Sequence, residues 1–332
     1  MEILIIGGTR NVGHLLTLEL RRQGHSVTVL NRGKTPDELP EDIQRLHCDR
    51  SDAAGLAQTL AGRSFDVVVD MALYNEADAK AITQLLDGRV AHYIFLSTGQ
   101  VYLVRDEAPR PFSEKATESP ITQAPPAGTR DYDEWLYGVE KSKAEDVLLN
   151  AWHRQGFPFT TLRLPMVNSE RDHFQRIRGY LLRLQDGGPI LLPQGKHLLL
   201  RHVYAEDVIQ AITRIIQTGA GKGRVYNISQ DETLSIESFL ELLARITGHP
   251  LQLKWIERAV LDHHQLLPEC SPFSDSWMSE LDNQRSKLEL GMQYTPLTLY
   301  IKKLVAHYEN SNLPLPDGYK QRPEELRLAS ES

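Results

Sequence analysis

The sequence predicts an α/β fold with a doubly wound parallel sheet, and three observations near its start predict it. EILII at residues 2–6 is a short apolar run of the kind a buried parallel strand needs, and GGTRNVG at residues 7–13 follows at once. Beyond it, Leu15, Leu16, Leu18 and Leu20 favour a helix that ends near Gly24, after which SVTVL at residues 26–30 reads as a second strand. Strand, turn, helix and strand make a βαβ unit.

The turn carries its own chemistry. Gly7 permits a tight turn, Gly8 lets backbone approach a pyrophosphate, and Gly13 allows helix and strand to pack closely, while the helix N-terminus stabilises an anion. A glycine turn between any strand and helix has a purely structural reading. The complete unit in register favours a dinucleotide site formed by Gly7, Gly8, Thr9, Arg10, Asn11, Val12 and Gly13.

Further strands are expected at residues 43–47, 66–70 and 92–96, with helical stretches at 53–60 and 76–86 between them, so the first half builds a parallel sheet. Residues 105–130 shift to Pro, Thr, Ser, Glu and Gly, which suits a long surface loop or lid. A helix from 131 to about 154 and a sixth strand at 159–164 follow. Later, Gly187, Gly188, Pro189 and Gly195 punctuate a loop region, and residues 206–217 and 235–246 read as helices. There is no internal repeat.

Composition narrows the class. The 332 residues carry 37 Lys plus Arg against 44 Asp plus Glu, a net charge of −7 that argues against a general nucleic-acid or anionic-membrane surface. No apolar run approaches the roughly 20 residues of a membrane span, and residues 1–6 lead directly into the fold, so a cytoplasmic location is expected. Cys48 and Cys270 form neither a CxxC pair nor a disulfide framework and read as reduced structural thiols. His263 and His264 are adjacent rather than spaced along one helical face, and no metal motif is present.

Tyr137 and Lys141, in YGVEK, lie four residues apart on the expected helix and therefore share one face. A free phenol titrates near pH ~10, and a nearby ammonium lowers that value, which makes the pair a candidate proton carrier. Such spacing is commonplace on solvated helices. The glycine turn gives it weight.

With these pieces placed, the chain resembles the extended short-chain dehydrogenase/reductase family, which includes nucleotide-sugar epimerases and dehydratases, over about the first 300 residues. The resemblance rests on STGQVY (97–102), YGVEK (137–141), RHVYAEDV (201–208), RVYNIS (224–229) and DNQRSKLELGMQYTP (282–296), in that order. It implies a Rossmann domain with a smaller C-terminal lobe, and nicotinamide redox chemistry on a sugar-like or small carbonyl or alcohol substrate. In it Thr98 hydrogen-bonds the reacting oxygen, with Ser97 able to replace it. Tyr137 exchanges the proton, and Lys141 binds the nicotinamide ribose and keeps the phenol acidic. It adds Asn31, Arg32, Lys34, Asp49, Ala72, Ser97, Tyr137, Lys141 and Pro165 to the cofactor set, and assigns Thr98, Gln100, Arg163 and Arg201 to substrate. Residues 1–165 are the expected dinucleotide-binding domain, 166–313 mainly a substrate lobe with segments returning to the sheet, and 314–332 a surface tail. Family members often pair through the tyrosine helix, so a homodimer is expected.

Departures from the family pattern carry information. Arg10 stands where the loop usually has a glycine, and Asn31, Arg32, Gly33 and Lys34 replace the acid that normally grips the adenosine ribose, which favours NADP over NAD. Gly99 and Gln100 occupy the places of the Asp-Glu pair of sugar dehydratases and carry no proton at neutral pH, which argues against that mechanism. Met166 and Leu200 stand where diphosphate contacts are usual. GGTRNVG, NRGK and CDRSD resemble an atypical branch that includes chloroplast stem-loop RNA-binding proteins. An RNA-binding or cofactor-sensing protein on the same scaffold is therefore the rival expectation.

Overall fold

The computed structural model describes every residue except Thr35, Asp275 and Ser332. In chain order the elements begin β1 (Glu2–Ile6), α1 (Asn11–Arg22), β2 (Ser26–Asn31), β3 (Gln44–His47), α2 (Ala53–Thr59), β4 (Phe65–Asp70), α3 (Glu76–Leu85), β5 (Val90–Thr98) and α4 (Gln100–Leu103). They continue as α5 (Arg130–Gln155), β6 (Phe159–Leu164), β7 (Val167–Asn168), α6 (Arg176–Gln185), β8 (Ile190–Pro193), β9 (Val203–Tyr204), α7 (Ala205–Thr218) and β10 (Arg224–Asn227). The last are α8 (Ile236–Thr247), β11 (Leu253–Ile256), α9 (Arg258–His263), α10 (Gln284–Leu290), α11 (Leu297–Glu309) and α12 (Arg322–Glu331).

The chain divides into two compact units, the first comprising Met1–Pro165, Ala205–Ser229 and Leu281–Gln293. Among the described residues its sheet has seven parallel strands in the order β10-β6-β5-β4-β1-β2-β3. The register pairs Ile3 with both Val27 and Val67, which makes β1 central. Central parallel strands are covered on both faces, which explains why EILII and FDVVVD are runs of apolar residues rather than alternations. Strand order reverses between β1 and β4. In such sheets a ligand binds outside the carboxyl ends at this reversal, so Gly7 and Met71, which follow those two strands, mark the crevice.

Local signals set the helix ends. Asp52, Asn75 and Thr129 cap α2, α3 and α5 by accepting from the backbone N of Gly55, Asp78 and Tyr132. Gly156 closes α5 in the left-handed region at φ 72°. The loop expected at 105–130 is not featureless: it holds a 3-10 turn at Glu114–Glu118, and Phe112 and Ala116 join Val101, Tyr102 and Leu281 in a small apolar cluster.

The second unit comprises Met166–Tyr204, Gln230–Glu280 and Tyr294–Ser332. Two short parallel pairs, β8 with β11 and β7 with β9, accompany helices whose core includes Tyr180, Phe239, Leu243, Tyr300 and Leu304. The end of the chain departs from the expected surface tail. Residues 322–331 form α12, with Arg322, Glu325 and Leu328 buried. Glu325 accepts from Arg183 Nε and Arg322 Nη1, both at 2.9 Å, and Arg322 Nε donates to Asp186 at 2.7 Å. The polar composition of this segment is neutralised by partners far away in sequence. No described helix is long and apolar enough to cross a membrane.

Candidate active site

The glycine turn is dictated by space. Gly7 has φ +91°, and its N–H donates to Leu30 O at 3.0 Å, tying the turn to the end of β2. A Cβ on Gly8 would lie 2.9 Å from both Ile5 Cγ2 and Val29 Cγ1, and one on Gly13 would lie 2.6 Å from Gly7 O. The sequence reading missed Thr17, one helical turn beyond Gly13. Its buried hydroxyl is 3.0 Å from Gly8 O and 2.7 Å from Gly13 O, bracing the loop. A backbone cradle at a helix N-terminus, with every close approach enforced by a missing side chain, fits a dinucleotide pyrophosphate. Thr9, Arg10, Asn11 and Val12 complete it, with Arg10 exposed at the N-cap and Val12 buried. Ala72 adjoins Gly7, where an added Cβ would meet it at 3.6 Å.

At the edge of this crevice, Asn31 Oδ1 accepts from Gly33 N at 2.7 Å and lies 3.3 Å from His47 Nδ1, which shapes a turn that exposes Arg32 and Lys34. Asp49 Oδ1 accepts from the Ser51 hydroxyl and N–H. Those bonds, and then the charges of Arg32 and Lys34, hold its carboxyl below the usual range. The three charged residues expected around the adenosine are thus electrostatic neighbours.

Beneath them lies an ion pair absent from the expected set. Asp70, fully buried at the end of β4, accepts from Arg50 Nη1 at 2.8 and 2.7 Å, from the Tyr93 hydroxyl at 2.6 Å and from Ala72 N at 2.9 Å. An aspartate closing an apolar strand was the visible signal. Its partner, Arg50 in CDRSD, was not.

Thr98 ends β5 and α5 brings Tyr137 and Lys141 to it. Gly138 makes the approach possible, since a Cβ there would lie 2.8 Å from Gln100 O and from Val104 Cγ1. Thr98 Oγ1 accepts from Gln100 N at 3.2 Å, and Thr98 is near enough to Tyr137 to favour its ionised form. Lys141 is buried, donates Nζ–H to Leu96 O at 3.2 Å, and lies 4.9, 4.8 and 5.8 Å from the ring centroids of Tyr74, Phe95 and Tyr137. Burial pushes its ammonium down to about 8, against the opposing charges of Asp70 and Glu145.

The phenol behaves differently from expectation. Burial pushes Tyr137 well above the ordinary tyrosine range, reinforced by Tyr74 and the Glu134 charge, and the group that lowers it is Thr98 rather than Lys141. Lys141 faces the ring and Leu96 O, and burial dominates the phenol.

Two other expected contacts are drawn into the interior. Ser97 Oγ donates to Glu145 Oε1 at 2.5 Å. The buried Arg163 binds both oxygens of the same carboxylate and donates Nη1–H to the Tyr102 hydroxyl at 2.7 Å and to Glu114 O at 3.0 Å. With its fork committed to Glu145, Arg163 is not a substrate contact here. Gln100 Nε2 donates to Glu134, and Pro165 follows β6 as the last residue of its segment. Arg201 lies in the second unit, where its Nη2 donates to Asp231 O at 3.1 Å. Both cysteines are free, and among the described residues no group of three or more His, Cys, Asp or Glu is arranged to hold a metal.

Curated relatives and solved structures agree with this architecture. The chloroplast stem-loop binding protein of 41 kDa b of Arabidopsis thaliana is 25% identical over 265 residues, covering 75% of this chain, and the chain spans only 64% of that protein's length. The 2'-dehydrokanamycin reductase of Streptomyces kanamyceticus is 23% identical over 254 residues, 75% of this chain and 68% of the relative. The crystal structure of a UDP-glucose 4-epimerase with UDP-glucose from Thermotoga maritima superposes with a TM-score of 0.73 at 18% identity, covering 93% of this chain and 99% of that one, a likeness of fold. The model of the NAD dependent epimerase/dehydratase family matches residues 3–229, well over half of the chain, and the protein belongs to that family of extended short-chain dehydrogenases/reductases.

Proposed function

We propose that this protein is an NAD(P)-dependent oxidoreductase or epimerase that works on a sugar-like or small carbonyl or alcohol substrate. The observation that carries the reading is the meeting of Thr98, Tyr137 and Lys141 at the carboxyl end of β5, in the same unit as the glycine cradle. A nicotinamide bound in that cradle supplies or accepts the hydride. Tyr137, held protonated by burial, donates its phenolic proton to a carbonyl oxygen, and Thr98 hydrogen-bonds the same oxygen. That protonation state suits the reductive direction. Lys141 keeps its charge against the phenol ring below about pH 8 and steadies the oxyanion-like phenol as the proton leaves.

Arg10, Arg32 and Lys34 support NADP over NAD, because guanidinium groups can bind a 2′-phosphate through two parallel hydrogen bonds. Comparable KM values for NADPH and NADH would remove that preference. Pairing of two copies through α5 is part of this reading, and sedimentation equilibrium that reports a monomer at all concentrations would refute it.

The test of the catalytic reading is Tyr137→Phe. Cofactor binding should persist while turnover falls on the order of 10²-fold or more, the usual scale for losing an acid/base group. Near-normal turnover would move the proton to another residue. Steady NADPH oxidation supports a reductase, and retained cofactor without net absorbance change supports an epimerase. The similarity to a stem-loop binding protein favours one rival, an RNA-binding role. Tight, salt-dependent gel shifts with structured RNA and no cofactor turnover would promote it.

A further inference from the structure

Glu134 is a charged group at the site for which the mechanism above has no use. It lies on α5 three residues before Tyr137, so the two side chains are neighbours on one helical face. Gln100 holds it at two points: Nε2 donates to Glu134 O at 3.1 Å and also to carboxylate Oε2. Gln100 is itself anchored, its backbone N–H donating to Thr98 Oγ1 at 3.2 Å. A carboxylate is therefore fixed one residue's reach from Thr98 and one turn from Tyr137, close enough for its charge to act on the phenol. Its side chain is 31% exposed and forms a loose ion pair with the Arg130 guanidinium at 4.0 Å, beyond hydrogen-bond distance.

One positive group expected to contact substrate is already spent. In the first unit Arg163 is bound to Glu145. The Lys141 ammonium lies against the phenol ring, and Glu134, one helical turn before Tyr137, adds a negative charge offered by acceptors: a carboxylate has about four lone-pair sites, of which Gln100 uses one, and the Gln100 amide oxygen adds another.

We propose that Glu134, positioned by Gln100, is a specificity residue that selects substrates carrying a protonated amine next to the reacting carbon. The proposal rests on the functional reading above and adds the substrate class to it. An ammonium supplies several N–H donors and a charge to a cluster of acceptors, and such charge-assisted bonds are roughly twice as strong as neutral ones. A hydroxyl at the same place offers one donor and no charge.

The test is equilibrium binding to the cofactor-loaded protein of a 2-amino-2-deoxyhexose, its 2-acetamido derivative and the parent hexose, below the pKa of the amine. Intrinsic tryptophan fluorescence, to which Trp135 next to Glu134 contributes, serves as the readout. The amine should bind about tenfold more tightly than either neutral sugar, and Glu134→Gln should abolish the difference while cofactor affinity is retained. Equal affinity for the three sugars, no saturable binding of the amine, or an amine preference that survives in Glu134→Gln would each overturn the proposal. Should Glu134→Gln fail to fold, the comparison of amine with acetamide in the unaltered protein decides. Glu134-dependent amine binding together with undiminished turnover in Tyr137→Phe would sink the catalytic reading and leave this one standing. The reverse pattern would sink only this one.

Discussion

Replacing Lys141 by Met should make the protein more stable at pH 7 and inactive. Lys141 is 2% exposed, and burial brings its ammonium from the usual 10.5 down to about 8. At about 1.4 kcal/mol per tenfold change, that displacement means roughly 3 kcal/mol of disfavoured charge in the folded protein. Methionine has a similar length and no charge, so the substitution removes this cost. It also removes the Nζ–H donated to Leu96 O, worth about 0.5–1.5 kcal/mol, and weakens the ammonium–ring contacts. A net gain of about 1–2 kcal/mol at pH 7 is expected once these losses are set against the relieved burial cost. The sign with pH follows from proton binding. The folded lysine pKa lies below the unfolded one, so below about 8 both states hold the proton and the cost is fully present. Between about 8 and 10.5 the unfolded chain binds more protons, and this group's contribution to stability rises with pH. Urea unfolding of both proteins at pH 7 and pH 9.5 checks the reasoning: the gain from Lys141→Met should shrink at the higher pH. A variant that is less stable at pH 7, or a gain independent of pH, would refute it.

The remaining expectations concern the same neighbourhood. Glu145→Ala leaves the buried Arg163 without its carboxylate and should cost about 3–5 kcal/mol by denaturant unfolding, with partial recovery when Arg163 is also made Met. A loss below ~1 kcal/mol would show that the pair is solvated. Gly13→Ala puts a methyl 2.6 Å from Gly7 O and should weaken nicotinamide-cofactor binding at least ~10-fold in a fluorescence titration, because a 1 Å backbone shift breaks the close approach the cradle provides. Unchanged affinity would place the cofactor elsewhere. Reductive turnover should fall as pH rises through about 8, where Lys141 loses its proton, and Glu145→Gln should move that limb to lower pH, since the Glu145 charge favours the ammonium. A limb that stays in place belongs to another group.

Legibility followed the range of the physical cause. The first six strands and the tyrosine helix could be read because their causes are local: apolar runs for the strands covered on both faces, though not for β3, QRLH at the sheet edge, and caps and stops such as Asn75 and Gly156 within a few residues of the helices they bound. The glycine turn was readable for the same reason, since Gly7, Gly8 and Gly13 create their own constraint. The later part was harder. β7 and β9 have two residues each, too short to show a period, and α12 looks like a solvated tail until Arg183 and Asp186 are brought beside it.

By itself the sequence determined the βαβ start, the parallel sheet of the first half, and the residue types that meet at the site. The fold alone decided what those residues do to one another. Desolvation is a property of the packed interior, so the rise of the Tyr137 phenol and the fall of the Lys141 ammonium could not be read from their four-residue spacing. Pairing between residues distant in the chain is equally invisible in a sequence pattern. It commits Arg163 to Glu145 rather than to a substrate, and it brings Gln100 to Glu134, one helical turn before Tyr137.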